Sequence, residues 1–175
     1  MRFFSSLSAG LLMSTMIFSG TVSADSPKEH VKLGESFYEK GMFNESLAEL
    51  DLAVAENGDS FYGWFDRGKT LIELGRYQDA IADLTRSLEI RKTCARAHYH
   101  RGRCYAALKE YDRALDDFNQ AIHINSSYDK AFFARGKTEF DMKDTEKAFD
   151  DVRKAVRLGN AEAEVWFEQH GKGKE

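Results

Sequence analysis

The chain has 175 residues, 42% hydrophobic and 31% charged, with a formal net charge of -4. That is an ordinary globular balance, and its mild acidity argues against a general nucleic-acid binder. One proline and two cysteines exclude a collagenous, proline-rich or disulfide-stapled chain, and 13% aromatic residues exclude a disordered acidic tail.

The chain begins with a segment of different composition. Residues 1–24 contain no acidic residue, and their only charged side chain is Arg2. An apolar stretch from Leu7 to Phe18 ends in Val22-Ser23-Ala24, small residues of the kind a signal peptidase accepts. The stretch is short of the roughly 20 residues that span a bilayer. The expectation is a secretory signal cleaved after Ala24, with the protein exported to the periplasm or secreted, and no membrane insertion after cleavage. Ser26, Pro27 and Glu29 then supply an N-cap, a first helical residue and the return arm of a capping box.

The rest of the chain repeats. Gly34, Gly68, Gly102 and Gly136 fall 34 residues apart. Small residues follow in phase at Ser46, Ala80, Ala114 and Ala148, and again at Ala53, Ser87, Ala121 and Ala155. Large ones recur at Leu50, Leu84, Phe118 and Val152, and aromatics at Phe43, Tyr77 and Tyr111, with Thr145 at that phase in the last copy. Amphipathic stretches predict first helices near 27–40, 61–74, 95–108 and 129–142, and second helices near 44–57, 78–91, 112–125 and 146–159. No hairpin of two such helices buries its apolar face alone, so the copies must stack. Residues from Ala161 to Gln169 read as a further helix with a wet face, and the final GKGKE as a frayed end.

This pattern resembles the tetratricopeptide repeat, a helix-turn-helix unit of 34 residues. The resemblance implies an all-α, right-handed solenoid: a signal at 1–24, repeats at 27–60, 61–94, 95–128 and 129–162, and a capping remnant at 163–175. The proline that often closes such a repeat is replaced by Gly58, Lys92, Ser126 and Asn160, so glycine and polar caps must end those helices.

Chemistry-bearing side chains recur with the repeat rather than converging. Arg67, Arg101 and Arg135 precede the glycines, and Asp83, Asp117 and Asp151 lie sixteen residues further on, with Glu49 at that phase in the first copy. A reaction centre is not built four times over, so these read as ion pairs that fix the stacking. His98 and His100 are two residues apart and face different ways on a helix. Neither a metal site nor a cofactor is expected. On a continuous helix Cys94 and Cys104 would be about 15 Å apart, beyond the roughly 7 Å a disulfide allows. Phosphate-cradling loops, nucleophile elbows and zinc-protease helices are absent from the sequence. The expectation is a protein without catalytic residues.

In the family this chain resembles, the first helices line a concave face that binds an extended peptide or a partner helix. The second, fifth and ninth residues of each repeat point there. Here these are Lys28, Tyr62, Arg96 and Lys130; Val31, Phe65, Tyr99 and Phe133; and Glu35, Lys69, Arg103 and Lys137. Repeats two to four thus offer aromatics flanked by cations, with Lys69, Arg103 and Lys137 expected to form one cationic strip. Asp79, Asp83, Asp112, Asp116, Asp117, Asp150 and Asp151 would make the opposite face acidic. The implied ligand is a protein or peptide segment carrying acidic and apolar residues. Self-association of the solenoid is the alternative. A branch of the family that clamps C-terminal carboxylates needs Lys, Asn and Arg where this chain has Phe65, Lys69, His100, Lys130 and Ala134, so that role is not expected.

Overall fold

A computed structural model describes residues 26–171, and nine helices account for nearly all of them. The first helices of the four repeats are α1 (Pro27–Glu39), α3 (Phe61–Glu73), α5 (Ala95–Ala107) and α7 (Asp129–Asp141). The second helices are α2 (Phe43–Glu56), α4 (Tyr77–Ile90), α6 (Tyr111–Ile124) and α8 (Thr145–Arg157), and α9 (Ala161–His170) closes the stack. The second helices start one residue earlier than the sequence periodicity suggests, because the recurring aromatic is the first helical residue rather than part of the turn. The expected signal at 1–24, the residue after it and the last four residues lie outside the described residues.

Local chemistry sets the helix ends. The backbone N–H of Ser26 donates to the Glu29 carboxylate at 3.1 Å, the return arm of the capping box. Ser60 caps α3 by accepting from the Gly63 N–H at 3.1 Å, and Asn160 caps α9 by accepting from the Ala163 N–H at 2.8 Å. The turn inside each repeat has one geometry. In the first, Gly41 N–H donates to the Tyr38 carbonyl and Met42 N–H to the Phe37 carbonyl, a reverse turn that needs a left-handed residue. Gly41 and Gly75 fill that position with φ of 73° each, whereas Lys109 and Lys143 adopt φ of 62° and 71° despite carrying a Cβ.

The recurring glycines are places of contact. A Cβ on Gly68 would lie 2.8 Å from Leu84 Cγ, and one on Gly102 would lie 2.7 Å from Phe118 Cε1. The large residue sixteen positions on therefore rests directly on the glycine across the hairpin. Ser46 stands where later copies have alanine, and is tolerated because its hydroxyl donates to the Gly34 carbonyl at 2.8 Å and meets Thr70 Oγ1 at 3.0 Å. Cys104 is fully buried, and desolvation pushes its thiol up to about 12. Cys94 precedes α5 as its N-cap.

Each hairpin packs on the next through its second helix, α2 on α3, α4 on α5, α6 on α7 and α8 on α9. Successive first helices also touch one another, α1 with α3, α3 with α5 and α5 with α7. That additional contact draws the stack together on the first-helix side and makes it the concave one. At the C-terminal end Ala163, Trp166 and Phe167 of α9 cover Phe133 and Val152, which would otherwise be the open end of the apolar column. Among the described residues no helix is long and apolar enough to cross a membrane.

Candidate functional site: the concave groove

The groove is positioned by α3, α5 and α7 and closed at one end by α9. A cavity of about 530 Å³ opens along it. Tyr99, Arg103, Lys130, Phe133 and Lys137, five of the nine residues singled out in the sequence, line this cavity. Among the described residues Arg103, Lys130 and Lys137 make no salt bridge. The guanidinium of Arg103 lies 5.8 Å from the Tyr99 ring centre, and the Lys137 ammonium lies 5.5 Å from that of Phe133. These three cations keep their charge available to a ligand, and aromatic rings beneath Arg103 and Lys137 hold those two near the cavity.

The other four residues stand elsewhere. Phe65 is only 3% exposed, stacked on Phe61 at 5.5 Å and edge-on to His100 at 5.8 Å, so its ring belongs to the core. Arg96 lies over it with the guanidinium 5.0 Å from the ring centre. Tyr62 is 53% exposed and sits beside Arg91, 5.2 Å away, toward the rim.

Lys69 departs furthest from expectation. Its ammonium donates to Asp66 Oδ1 at 3.0 Å and lies over the Tyr38 ring at 4.5 Å, with its side chain 15% exposed. The strip of Lys69, Arg103 and Lys137 is therefore interrupted at its first member. Sequence phase put Lys69 on the groove but could not reveal that Asp66, one helical turn earlier, neutralises it. The i,i+3 spacing was the available signal.

The expected acidic outer face also changes. Asp83, Asp117 and Asp151 are buried, each gripped at both oxygens by Arg67, Arg101 or Arg135. Asp79, Asp112, Asp116 and Asp150 remain exposed. Burial makes these ion pairs internal struts, with more at stake than the 0–1 kcal/mol of an exposed pair. In the first copy, where Leu33 replaces the arginine, His30 Nδ1 meets Glu49 Oε2 at 2.8 Å instead.

Several cavity residues escaped sequence reasoning. Ile72, Tyr77 and Ala106 reach it from α3, α4 and α5, and Asp141, Asn160 and Glu162 from the C-terminal end. Asn160 also donates to Asp129 at 2.8 Å, tying the start of α9 to α7. His100 stands between the two halves of the groove with its Nδ1 buried and unpartnered. Burial, then Arg103, Lys69, Arg96 and Lys130, push its pKa down to about 3, so the imidazole is neutral at physiological pH. Among the described residues no group of His, Cys, Asp or Glu is arranged to hold a metal ion.

The sequence matches the family described as tetratricopeptide repeat over residues 31–93 and 65–130, together more than half the chain. The chain belongs to the tetratricopeptide repeat family. No curated protein sequence matches it. Solved structures share the fold at low identity. MamA superposes with a TM-score of 0.73 at 21% identity, covering 81% of this chain and 83% of MamA. YrrB, described as a tetratricopeptide repeat protein with an unusual peptide-binding site, gives 0.73 at 20% identity, covering 84% and 76%. The tetratricopeptide repeat domain of Arabidopsis OM64 gives 0.63 at 23% identity, covering 64% and 93%.

Proposed function

We propose that the protein is an exported, non-catalytic interaction module that holds a segment of an envelope or secreted partner in its concave groove, in a scaffold or assembly role. The observation that carries this is the cavity of about 530 Å³ in which Arg103, Lys130 and Lys137 stand beside Tyr99 and Phe133 without a salt-bridge partner of their own among the described residues. Cations of this kind steer an acidic segment and fix its register, while aromatic and apolar surface supplies affinity. The tetratricopeptide fold, and a peptide-binding site in the similarly folded YrrB, support a protein ligand. Export rests on residues 1–24 of the sequence alone.

Photo-crosslinkers placed at Lys137 in the groove and at Asp112 on the outer face, in the native host, test the reading. A discrete partner captured from position 137, absent from position 112, and lost when Arg103 and Lys130 are both changed to Glu is the expected result. Equal capture from Asp112 would move the site off the groove. Crosslinks only to a second copy, with a mass that grows with concentration, would replace the reading by self-association.

A further inference from the structure

The groove does not carry one sign of charge from end to end. In the first repeat the ninth residue is Glu35, where the later copies have Lys69, Arg103 and Lys137. Glu35 on α1 lies near Asp66 on α3, and partial desolvation and the Asp66 charge together raise its pKa. Asp66 is only 3% exposed, and its Oδ2 is buried without any hydrogen-bond donor. Oδ1 takes the Lys69 ammonium. Glu39 on α1 and Glu73 on α3 are exposed nearby, and the Tyr38 hydroxyl donates to Glu73 at 3.4 Å. Against these four carboxylates the facing cations are Lys69 and, more distantly, Arg103. Two repeats further on the balance reverses, with Arg103, Lys130 and Lys137 against Asp141 and Glu162.

We propose that the groove is bipolar along its axis and selects a partner segment with a basic side chain at one end, seated on Glu35 and Asp66, and acidic side chains at the other, seated on Arg103, Lys130 and Lys137. This rests on the groove-binding reading above and adds a direction to it. A lysine or arginine of the ligand supplies the donor that Asp66 Oδ2 lacks and offsets the repulsion between Asp66 and Glu35. A wholly acidic segment gains at one end and is repelled at the other. Neighbouring helix axes lie about 8–10 Å apart, so two helix steps separate the charged ends by roughly 16–20 Å. That is about five or six residues of extended chain at about 3.3 Å each.

Three fluorescein-labelled ten-residue peptides with a shared Leu-Phe centre provide the probe. One has lysines at its amino end and glutamates at its carboxyl end, one has the ends exchanged, and one has glutamates at both. Anisotropy titrations use the protein as isolated from its host, in low salt. One of the two bipolar peptides should bind about fivefold or more tighter than the wholly acidic one, the scale of a single exposed ion pair. Glu35→Gln should remove that advantage and leave the acidic peptide's affinity unchanged or improved. Asp66→Asn should do the same, and the exposed position of Glu35 keeps the test independent of any folding defect at Asp66. An acidic peptide that binds as tightly as the better bipolar one, or an advantage that survives Glu35→Gln, overturns the bipolar proposal and leaves groove binding standing. If none of the three binds, groove binding itself falls, and the bipolar proposal with it.

Discussion

The guanidinium of Arg101 grips both carboxylate oxygens of Asp117, Nε on Oδ2 and Nη2 on Oδ1, each at 2.8 Å. Its remaining nitrogen, Nη1, reaches sixteen residues back to the Thr85 hydroxyl at 3.0 Å. One side chain on α5 thus ties its own second helix, α6, to the second helix of the preceding repeat, α4. Arg67 does the same between Asp83 and Asp51, and Arg135 between Asp151 and Asn119. Burial raises the Asp117 carboxyl, but the Arg101 and His98 hydrogen bonds outweigh it and hold the pKa below the usual range. In Asp83 burial wins over Arg67 and the pKa is raised. That position has Trp64 in place of the histidine, and Asp51 and Asp79 for neighbours.

Arg101→Met should therefore destabilise by about 3–5 kcal/mol, the cost of leaving a buried charge with one partner removed. Arg101→Met combined with Asp117→Leu should recover most of the loss, because no buried charge is then left over. Urea unfolding of the three proteins measures both. The depressed Asp117 stabilises the fold above the ordinary carboxylate range and loses that contribution as pH falls through its lower folded value. The double variant should lose less stability than the parent across that acid window. Equal losses would mean that the pair is not what acid breaks.

Gly102→Ala should cost about 1–3 kcal/mol, the range for overpacking a filled site, although alanine is the better helix former. The added Cβ would meet Phe118 Cε1 at 2.7 Å and the Ala114 carbonyl at 3.2 Å. Phe118 is itself fully buried and has little room to yield. Adding Phe118→Leu should restore part of the loss by making space on the same contact. Thermal unfolding decides it, and a melting point unchanged by Gly102→Ala would place the helix crossing elsewhere.

Glu139 occupies the phase that Leu71 and Tyr105 fill with buried side chains. Its Oε2 is buried and without a hydrogen-bond partner, and burial, with Asp151 adding to it, raises its pKa from 4.5 to about 7. A carboxyl raised in the folded state penalises folding fully above that value, and the penalty disappears below the unfolded value. Glu139→Leu should stabilise by about 1–3 kcal/mol at pH 8, the cost of an unsatisfied buried polar group, and the gain should shrink toward pH 4.5. Unfolding midpoints of parent and variant across that range test the sign as well as the size.

The repeat was legible because a periodic residue performs the same contact in all four copies or, for the arginine–aspartate pair, in the last three. A glycine facing a large side chain, and an arginine facing an aspartate sixteen residues on, leave a phase that survives in one dimension. Helix number and helix ends followed to within two residues, since caps and left-handed turn residues are local. The groove was legible only in part. Its lining positions follow from helical phase, and Tyr99, Arg103, Lys130, Phe133 and Lys137 do meet around one cavity.

What the amino-acid sequence determined by itself was the period, the stacking of helix hairpins and the face on which the first-helix residues stand, because these depend on spacing along single helices. Only the tertiary structure decided which charges on that face remain available. Whether Phe65 is offered or buried beneath Arg96, and whether Asp83, Asp117 and Asp151 are surface or struts, depends on side chains brought together from separate helices, and whether Lys69 is free or held by Asp66 on its own helix depends on the burial those neighbours impose. Coulomb interaction and desolvation act on those distances in space, and periodicity along the chain does not contain them.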